Sequence, residues 1–91
     1  MNKIIYKYGP IYHNNHVIDV KGRIVHAEFR PRGTFNAEAG IYVWAELNDF
    51  ENETYSPYKV TVVGTGEKYD SFHLKTVVMP DGIVWHIVQV L

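Results

Sequence analysis

Apolar and polar residues alternate along most of this chain with the two-residue period of β-strands. The clearest run is Ile41 to Leu47, whose odd-numbered residues are aliphatic while Tyr42, Trp44 and Glu46 fall on the other face. Weaker alternation marks Lys3 to Tyr8, His16 to Val20, Arg23 to Arg30 and Tyr58 to Val63. Together with a closing pair of β-rich runs, these segments predict seven strands. No window of eleven residues has a helical period.

The last twenty residues predict a β-hairpin, because two β-rich runs flank a Pro80-Asp81-Gly82 turn. The second arm is apolar at nearly every position: Ile83, Trp85, Ile87 and Leu91 fall on one face, and Val84, Val88 and Val90 on the other. Such a strand needs cover on both sides. The expected fold is therefore all-β, a small single-domain antiparallel sandwich or partly open barrel spanning residues 1–91. Short helical turns would fit at Asn36 to Ala39 or Glu67 to Ser71.

Composition narrows the classes of function. Residues 1–35 carry six basic and two acidic side chains, whereas residues 36–91 carry three basic and eight acidic ones. All three arginines lie between positions 23 and 32, which favours a small anion-binding patch over the broad basic surface of a nucleic-acid-binding protein. The absence of cysteine excludes disulfides and thiolate chemistry. Neither a membrane-length apolar segment nor a signal-peptide core is present, so we expect a soluble cytoplasmic protein.

Several short motifs occur in a fixed order along these strands. They are Lys7-Tyr8, the strand pair around Lys21-Gly22, Val43-Trp44-Ala45-Glu46-Leu47, Val63-Gly64-Thr65-Gly66 and Val84-Trp85-His86-Ile87. In this order the chain resembles a family of small, poorly characterised proteins of tailed bacteriophages and prophages. It departs from that pattern at Glu67-Lys68, where the family tends to carry His-Pro. The resemblance implies a phage or prophage accessory protein acting in the host cytoplasm, and it implies no particular reaction.

Two loops are candidates for anion binding. The Gly64-Thr65-Gly66 loop offers unobstructed backbone N–H groups, but no helix follows it as a phosphate-binding glycine motif requires. Its alternative role is a turn that needs positive φ. In the Arg30-Pro31-Arg32-Gly33 turn, a rigid proline separates two guanidinium groups that match phosphate geometry. Its alternative role is a solvated hairpin tip.

The sequence is compatible with several roles for the aromatic and histidine residues. Trp44, Tyr42 and Trp85 would form a clamp for a planar ligand, or they would pack in the core or at a subunit interface. His26, His73 and His86 lie on three different strands, and nothing in their spacing requires that they converge. We therefore expect no metal site at these histidines, and no cofactor. No nucleophile and base pair can be specified, so we expect no enzymatic activity.

The leading hypothesis is a non-enzymatic accessory protein that sequesters a small, nucleotide-like anionic ligand from host defence. The expected ligand-binding residues are Arg30, Arg32, Trp44, Gly64, Thr65, Gly66, Trp85 and His86. Because a site at a symmetric interface encloses a ligand better than one small subunit, we expect a homo-oligomer. The alternative is a protein-interaction module, an inhibitor of a host protein or a minor virion or assembly component, that uses Tyr6, Tyr8, Tyr12 and the acidic loop after Asn48. Single-stranded nucleic acid is a third candidate that the near-neutral charge disfavours.

Overall fold

The computed structural model describes residues 2–13, 16–33, 38–48 and 55–90. These residues form seven strands: β1 (Lys3–Ile11), β2 (Ile18–Val20), β3 (Arg23–Arg30), β4 (Gly40–Asn48), β5 (Tyr58–Gly64), β6 (His73–Val78) and β7 (Val84–Val90). No helix occurs within the described ranges. The prediction of a seven-stranded all-β domain is therefore confirmed. No described segment forms a helix long and apolar enough to cross a membrane.

The strands form two antiparallel sheets that pack face to face. The first sheet has the order β1-β4-β3, and the second has the order β2-β5-β7-β6. Neither sheet closes on itself, and this makes the fold a sandwich rather than a barrel. The strand with the clearest alternation, β4, is the central strand of the first sheet, and β5 and β7 are the inner strands of the second. The most clearly alternating strand, β4, and the nearly continuous apolar strand, β7, therefore both lie in the interior of their sheets.

The core lies between the two sheets and is made of aliphatic side chains. Val43 and Ala45 from β4 face Val60 and Ile87 from the second sheet, and all four are fully buried. The predicted inner face of β4 is confirmed. Each fully buried valine or isoleucine contributes about 1.5–3 kcal/mol of burial free energy. The prediction that the last strand is covered on both faces also holds at Ile87 and Val88, which are adjacent and both buried.

Three details of the predicted elements were wrong. The first strand does not end at Tyr8 but bulges at Gly9, continues to Ile11, and pairs Ile11 with Ile41. The chain accommodates this bulge because Gly9 has a φ of 129°. Ile83 lies before β7 and is exposed, and residues 67–71 form no helical turn. The acidic loop at positions 49–54, the residues 36 and 37 of the other suggested helical turn, and Leu91 lie outside the described residues.

A second bulge changes which residues of β3 face the core. Ile24 pairs with Ala45 of β4, and His26 pairs with the adjacent Trp44, so β3 contains one extra residue, Val25, at this point. Simple alternation predicts that Ile24 lies opposite Ala27 and Phe29. Instead, Ile24, Ala27 and Phe29 all pack toward the core, and His26 lies on the outer face. An extra residue in one strand reverses the side on which later residues fall.

Candidate functional site

A cleft on the outer face of the first sheet brings three basic side chains together, those of Lys7, Arg30 and Arg32. Its volume is about 300 Å³, and its described lining residues are Lys7, Arg30, Pro31, Arg32, Gly33, Glu38 and Tyr42. We call it the basic cleft. Lys7 comes from β1, Tyr42 from the central strand β4, and Arg30 from the end of β3. The three strands of this sheet therefore bring together residues that are far apart in sequence.

Tyr42 forms the floor of the basic cleft and is buried although it points away from the core. A Cβ atom added at Gly9 would lie 2.9 Å from the Tyr42 ring, so the missing side chain lets the β1 backbone approach the ring. The Lys7 Nζ atom lies 5.2 Å from the ring centroid, within cation–π distance. The Tyr42 hydroxyl donates a hydrogen bond of 2.7 Å to the backbone carbonyl of Glu38. These contacts hold the ring in place.

The charges lining the basic cleft are mostly positive. The Arg30 Nη1 atom lies 3.8 Å from Glu28, a loose and exposed ion pair. Among the described lining residues, Glu38 supplies the one carboxylate, and it accepts a short hydrogen bond from the Tyr12 hydroxyl. That hydrogen bond raises the pKa of Tyr12 above its ordinary value, because losing the proton would remove the bond and place two negative charges side by side. The cleft therefore keeps a net positive charge.

Trp44 lies on the same outer face, two residues along β4 from Tyr42. In the sheet it pairs with Lys7 on one side and with His26 on the other. The rings of His26 and Trp44 have centroids 5.2 Å apart and are tilted by 48°. An aromatic surface therefore extends from the basic cleft along the central strand.

A second cleft lies on the outer face of the other sheet, and we call it the histidine cleft. Its volume is about 240 Å³, and it is lined by Val63, Gly64, Thr65, Gly66, Glu67, Tyr69, His73 and His86. The His86 Nε2 atom is 3.0 Å from the Thr65 hydroxyl. On the other edge of the ring, Nδ1 is 3.2 Å from the Thr76 hydroxyl and 3.3 Å from His73 Nε2.

A third bulge creates this histidine pair. His73 pairs with Val88 and Lys75 with Ile87, so β6 contains one extra residue at this point. Strict alternation would place His73 and Thr76 on opposite faces of β6. Because of the bulge, both lie on the outer face beside His86. His26 belongs to the other sheet, so two of the three histidines considered together converge and the third does not.

Trp85 and His86 face opposite sides of the second sheet. Trp85 packs against the core cluster, and its ring centroid lies 4.5 Å from that of His13. The His13 Nε2 atom is 2.8 Å from the Glu67 carboxylate. This contact, helped by the Gly64 backbone, lowers the pKa of the exposed Glu67 carboxyl below its ordinary value. His13 therefore links the core-facing tryptophan to the loop that borders the histidine cleft.

The eight candidate ligand residues fall into three places. Arg30 and Arg32 line the basic cleft with Trp44 beside it on the same face. Gly64, Thr65, Gly66 and His86 line the histidine cleft. Trp85 joins neither group, so no clamp between Trp44 and Trp85 forms. Sequence reasoning did not select Lys7 or Thr76, and it considered His73 without placing it beside His86. Only strand pairing and the β6 bulge bring these residues to the clefts.

The described residues contain no group of three or more histidine, aspartate or glutamate side chains arranged to hold a metal ion.

A third concave surface, of about 470 Å³, lies between the edge strands β1 and β2, and we call it the edge groove. Tyr6, Tyr8 and Pro57 give this edge groove its apolar character, while Lys7, Asp19 and Lys21 border it.

Comparison with known proteins gives a family but no function. No curated protein and no solved structure matches this chain. The family model described as a domain of unknown function, DUF7352, matches residues 1–91. Since the match spans the whole chain, the protein belongs to the DUF7352 family.

Proposed function

We propose that this protein is a non-enzymatic binding protein that captures a small anionic ligand in the basic cleft. The observation that carries the proposal is that Lys7, Arg30 and Arg32 line one cleft in which Glu38 is the single carboxylate among the described lining residues. Guanidinium groups bind phosphate through paired N–H donors, and a lysine adds a point charge. A phosphate-bearing ligand therefore has the complementary chemistry.

The aromatic surface beside the cleft favours a nucleotide over a free phosphate. A volume of about 300 Å³ suits a phosphate or diphosphate group and is at the small end for a complete ligand site. The remainder of the ligand would extend along β4, where Trp44 is partly exposed. Stacking of a base on an aromatic ring is worth about 1–3 kcal/mol and tolerates any base. Phosphate in the cleft and a base on Trp44 would use both features.

The biological setting rests on the resemblance of the motif order to small proteins of tailed phages and prophages. In that setting, a binding protein of this kind acts in the host cytoplasm and withholds a nucleotide-like signal from host defence. A homo-oligomer would enclose the ligand better, because a second subunit would cover the open side of the basic cleft. Native mass spectrometry of freshly purified protein would report both the subunit number and any retained small molecule.

The direct test is calorimetric titration of cyclic dinucleotides and ADP-ribose derivatives into wild-type protein and into the double variant Arg30→Ala/Arg32→Ala. Hydrogen bonds to charged groups contribute about 1.5–3 kcal/mol each, so we expect the variant to lose at least about tenfold in affinity. The matched control is Arg23→Ala, an exposed arginine of the same strand that pairs with Glu46 outside the cleft. Binding should also weaken with added salt. A panel in which no ligand binds wild-type protein, or in which Arg23→Ala weakens binding equally, would overturn the proposal.

A second candidate function is a protein-interaction module, and the edge groove supports it. Tyr6 and Tyr8 belong to β1, an edge strand of the first sheet, and aromatic residues in a groove are typical of interface hot spots. Affinity capture from host lysate discriminates the two functions. A stoichiometric protein partner that is released by Tyr8→Ala, but retained by Arg30→Ala/Arg32→Ala, would favour the interaction module.

A further inference from the structure

On the outer face of the second sheet, three polar side chains lie so close together that hydrogen bonds cannot account for all of their mutual contacts. Three atoms form a nearly equilateral triangle: His73 Nε2, His86 Nδ1 and Thr76 Oγ1, with mutual distances of 3.0, 3.2 and 3.3 Å. Each imidazole nitrogen has either one hydrogen or one lone pair, directed in the ring plane. At most two sides of this triangle can therefore be hydrogen bonds in neutral side chains.

Thr65 favours one tautomer of His86 through its two contacts. Its hydroxyl is 3.5 Å from the Val84 carbonyl and 3.0 Å from His86 Nε2. A carbonyl can only accept, so both contacts are satisfied together when the hydroxyl donates to Val84 and accepts the Nε2–H of His86. The Nδ1 atom of His86 then presents a lone pair toward His73 and Thr76. Metal-ligating histidines are usually oriented in this way, by donation from the other ring nitrogen to a neighbouring oxygen.

We propose that His73, His86 and Thr76 form a binding site for a divalent transition-metal ion of the imidazole-preferring class, Zn²⁺, Ni²⁺ or Cu²⁺. Two ligand atoms about 2.1 Å from one ion, at angles between octahedral and tetrahedral, are about 3.0–3.4 Å apart, which is the spacing of this triangle. An ion above the triangle would contact two imidazole nitrogens and one hydroxyl oxygen. Water would occupy its remaining positions, on the side open to the histidine cleft.

The ligand set also determines how tightly the ion is held. No third histidine or carboxylate of the described residues joins the cluster, and Glu67, which lines the same cleft, is engaged by His13. A site with two strong ligands and one neutral hydroxyl is an open, exchangeable one. Imidazole ligation and the order of divalent-ion affinities favour Cu²⁺ over Ni²⁺ and Zn²⁺. This site is on the opposite outer face from the basic cleft and does not depend on the proposed function.

The test is calorimetric titration of Zn²⁺ and Ni²⁺ into full-length protein without an affinity tag, compared with His73→Asn, His86→Asn and Thr76→Val. We expect one ion per chain for wild-type protein and an affinity at least about tenfold weaker in each histidine variant, with a smaller loss for Thr76→Val. The matched control is His26→Asn, since His26 is an exposed histidine on the other sheet and should leave affinity unchanged. Far-ultraviolet circular dichroism checks that each variant folds.

A second readout identifies the ligands without mutation. One equivalent of Zn²⁺ should shift the ring resonances of His73 and His86 in nuclear magnetic resonance spectra, and leave those of His16 and His26 in place. Equal metal affinity in wild-type, His73→Asn and His86→Asn proteins would overturn the proposal. Ring shifts confined to histidines other than His73 and His86 would overturn it as well.

Discussion

At the scale of single residues, both the backbone conformation of Gly22 and the atoms around it require glycine at this position. Its φ is 91°, and a Cβ atom added there would lie 2.6 Å from the backbone carbonyl oxygen of Glu46. The same carbonyl is fixed by the pairing of β4, so it has little freedom to move. Gly22 also offers its own carbonyl to the Tyr58 hydroxyl at 2.5 Å, and this bond links the turn between β2 and β3 to β5.

We expect Gly22→Ala to be strongly destabilising. Positive φ costs a non-glycine residue roughly 1–2 kcal/mol, and the overlap with Glu46 adds about 1–3 kcal/mol of strain. Gly82→Ala is the matched control, because Gly82 has a φ of 89° but nothing within 4 Å of the added atom. Gly82→Ala should therefore lower the free energy of unfolding only by the roughly 1–2 kcal/mol that positive φ costs. Urea denaturation measures both free energies of unfolding, and equal losses would show that the Glu46 contact is relieved at little cost.

The pKa of Glu67 gives a residue-scale prediction about pH. The His13 ring lowers this pKa below its ordinary value near 4.5, and the Gly64 backbone lowers it further. A carboxyl whose pKa is lower in the folded state stabilises the fold above its unfolded pKa, and this contribution is lost as pH falls through the folded pKa. Carboxyl ¹³C chemical shifts should show a Glu67 midpoint below the ordinary value. In His13→Ala the midpoint should move upward, and an unchanged midpoint would contradict the assigned cause.

At the scale of elements, the three β-bulges explain both where pattern reasoning succeeded and where it failed. Strands without a bulge, such as the part of β4 from Ile41 to Leu47, follow strict alternation, and their inner faces could be predicted from the sequence. Bulges at Gly9, Val25 and Leu74 each insert one residue and reverse the alternation beyond it. Of these three positions, Gly9 carries a composition signal, since glycine before proline marks a break in a strand.

The same bulges create side-chain contacts that the sequence pattern does not predict. The Gly9 bulge brings the β1 backbone onto the Tyr42 ring, and the Leu74 bulge turns His73 toward His86. Gly9-Pro10 marks the position of one bulge, but neither contact can be predicted locally, because each depends on which strand lies alongside. The Arg30-Pro31-Arg32-Gly33 turn, by contrast, could be selected from sequence alone, since its residues are contiguous and their chemistry is local. Candidate sites made by one loop were therefore predictable, and sites shared between strands were not.

At the scale of the whole molecule, the two clefts lie on opposite outer faces of the sandwich. The basic cleft belongs to β1, β3 and β4, and the histidine cleft is built around β5, β6 and β7. Between them lies a core of small and medium aliphatic side chains such as Val43 and Ile87, which are fully buried. Tightly packed cores of this kind do not deform continuously when one surface binds a ligand.

This separation predicts that the two proposed sites act independently. Changes at sites that share no partners usually add within about 0.3–0.5 kcal/mol. We therefore expect Arg30→Ala/Arg32→Ala to weaken nucleotide binding while leaving Zn²⁺ affinity unchanged, and His86→Asn to do the reverse. A variant with all three substitutions should show both losses, each as large as it is alone. Separate calorimetric titrations with each ligand avoid chelation of the metal by phosphate. If His86→Asn weakened nucleotide binding by more than about twofold, the two faces would be coupled, and the core between them would have to transmit the change.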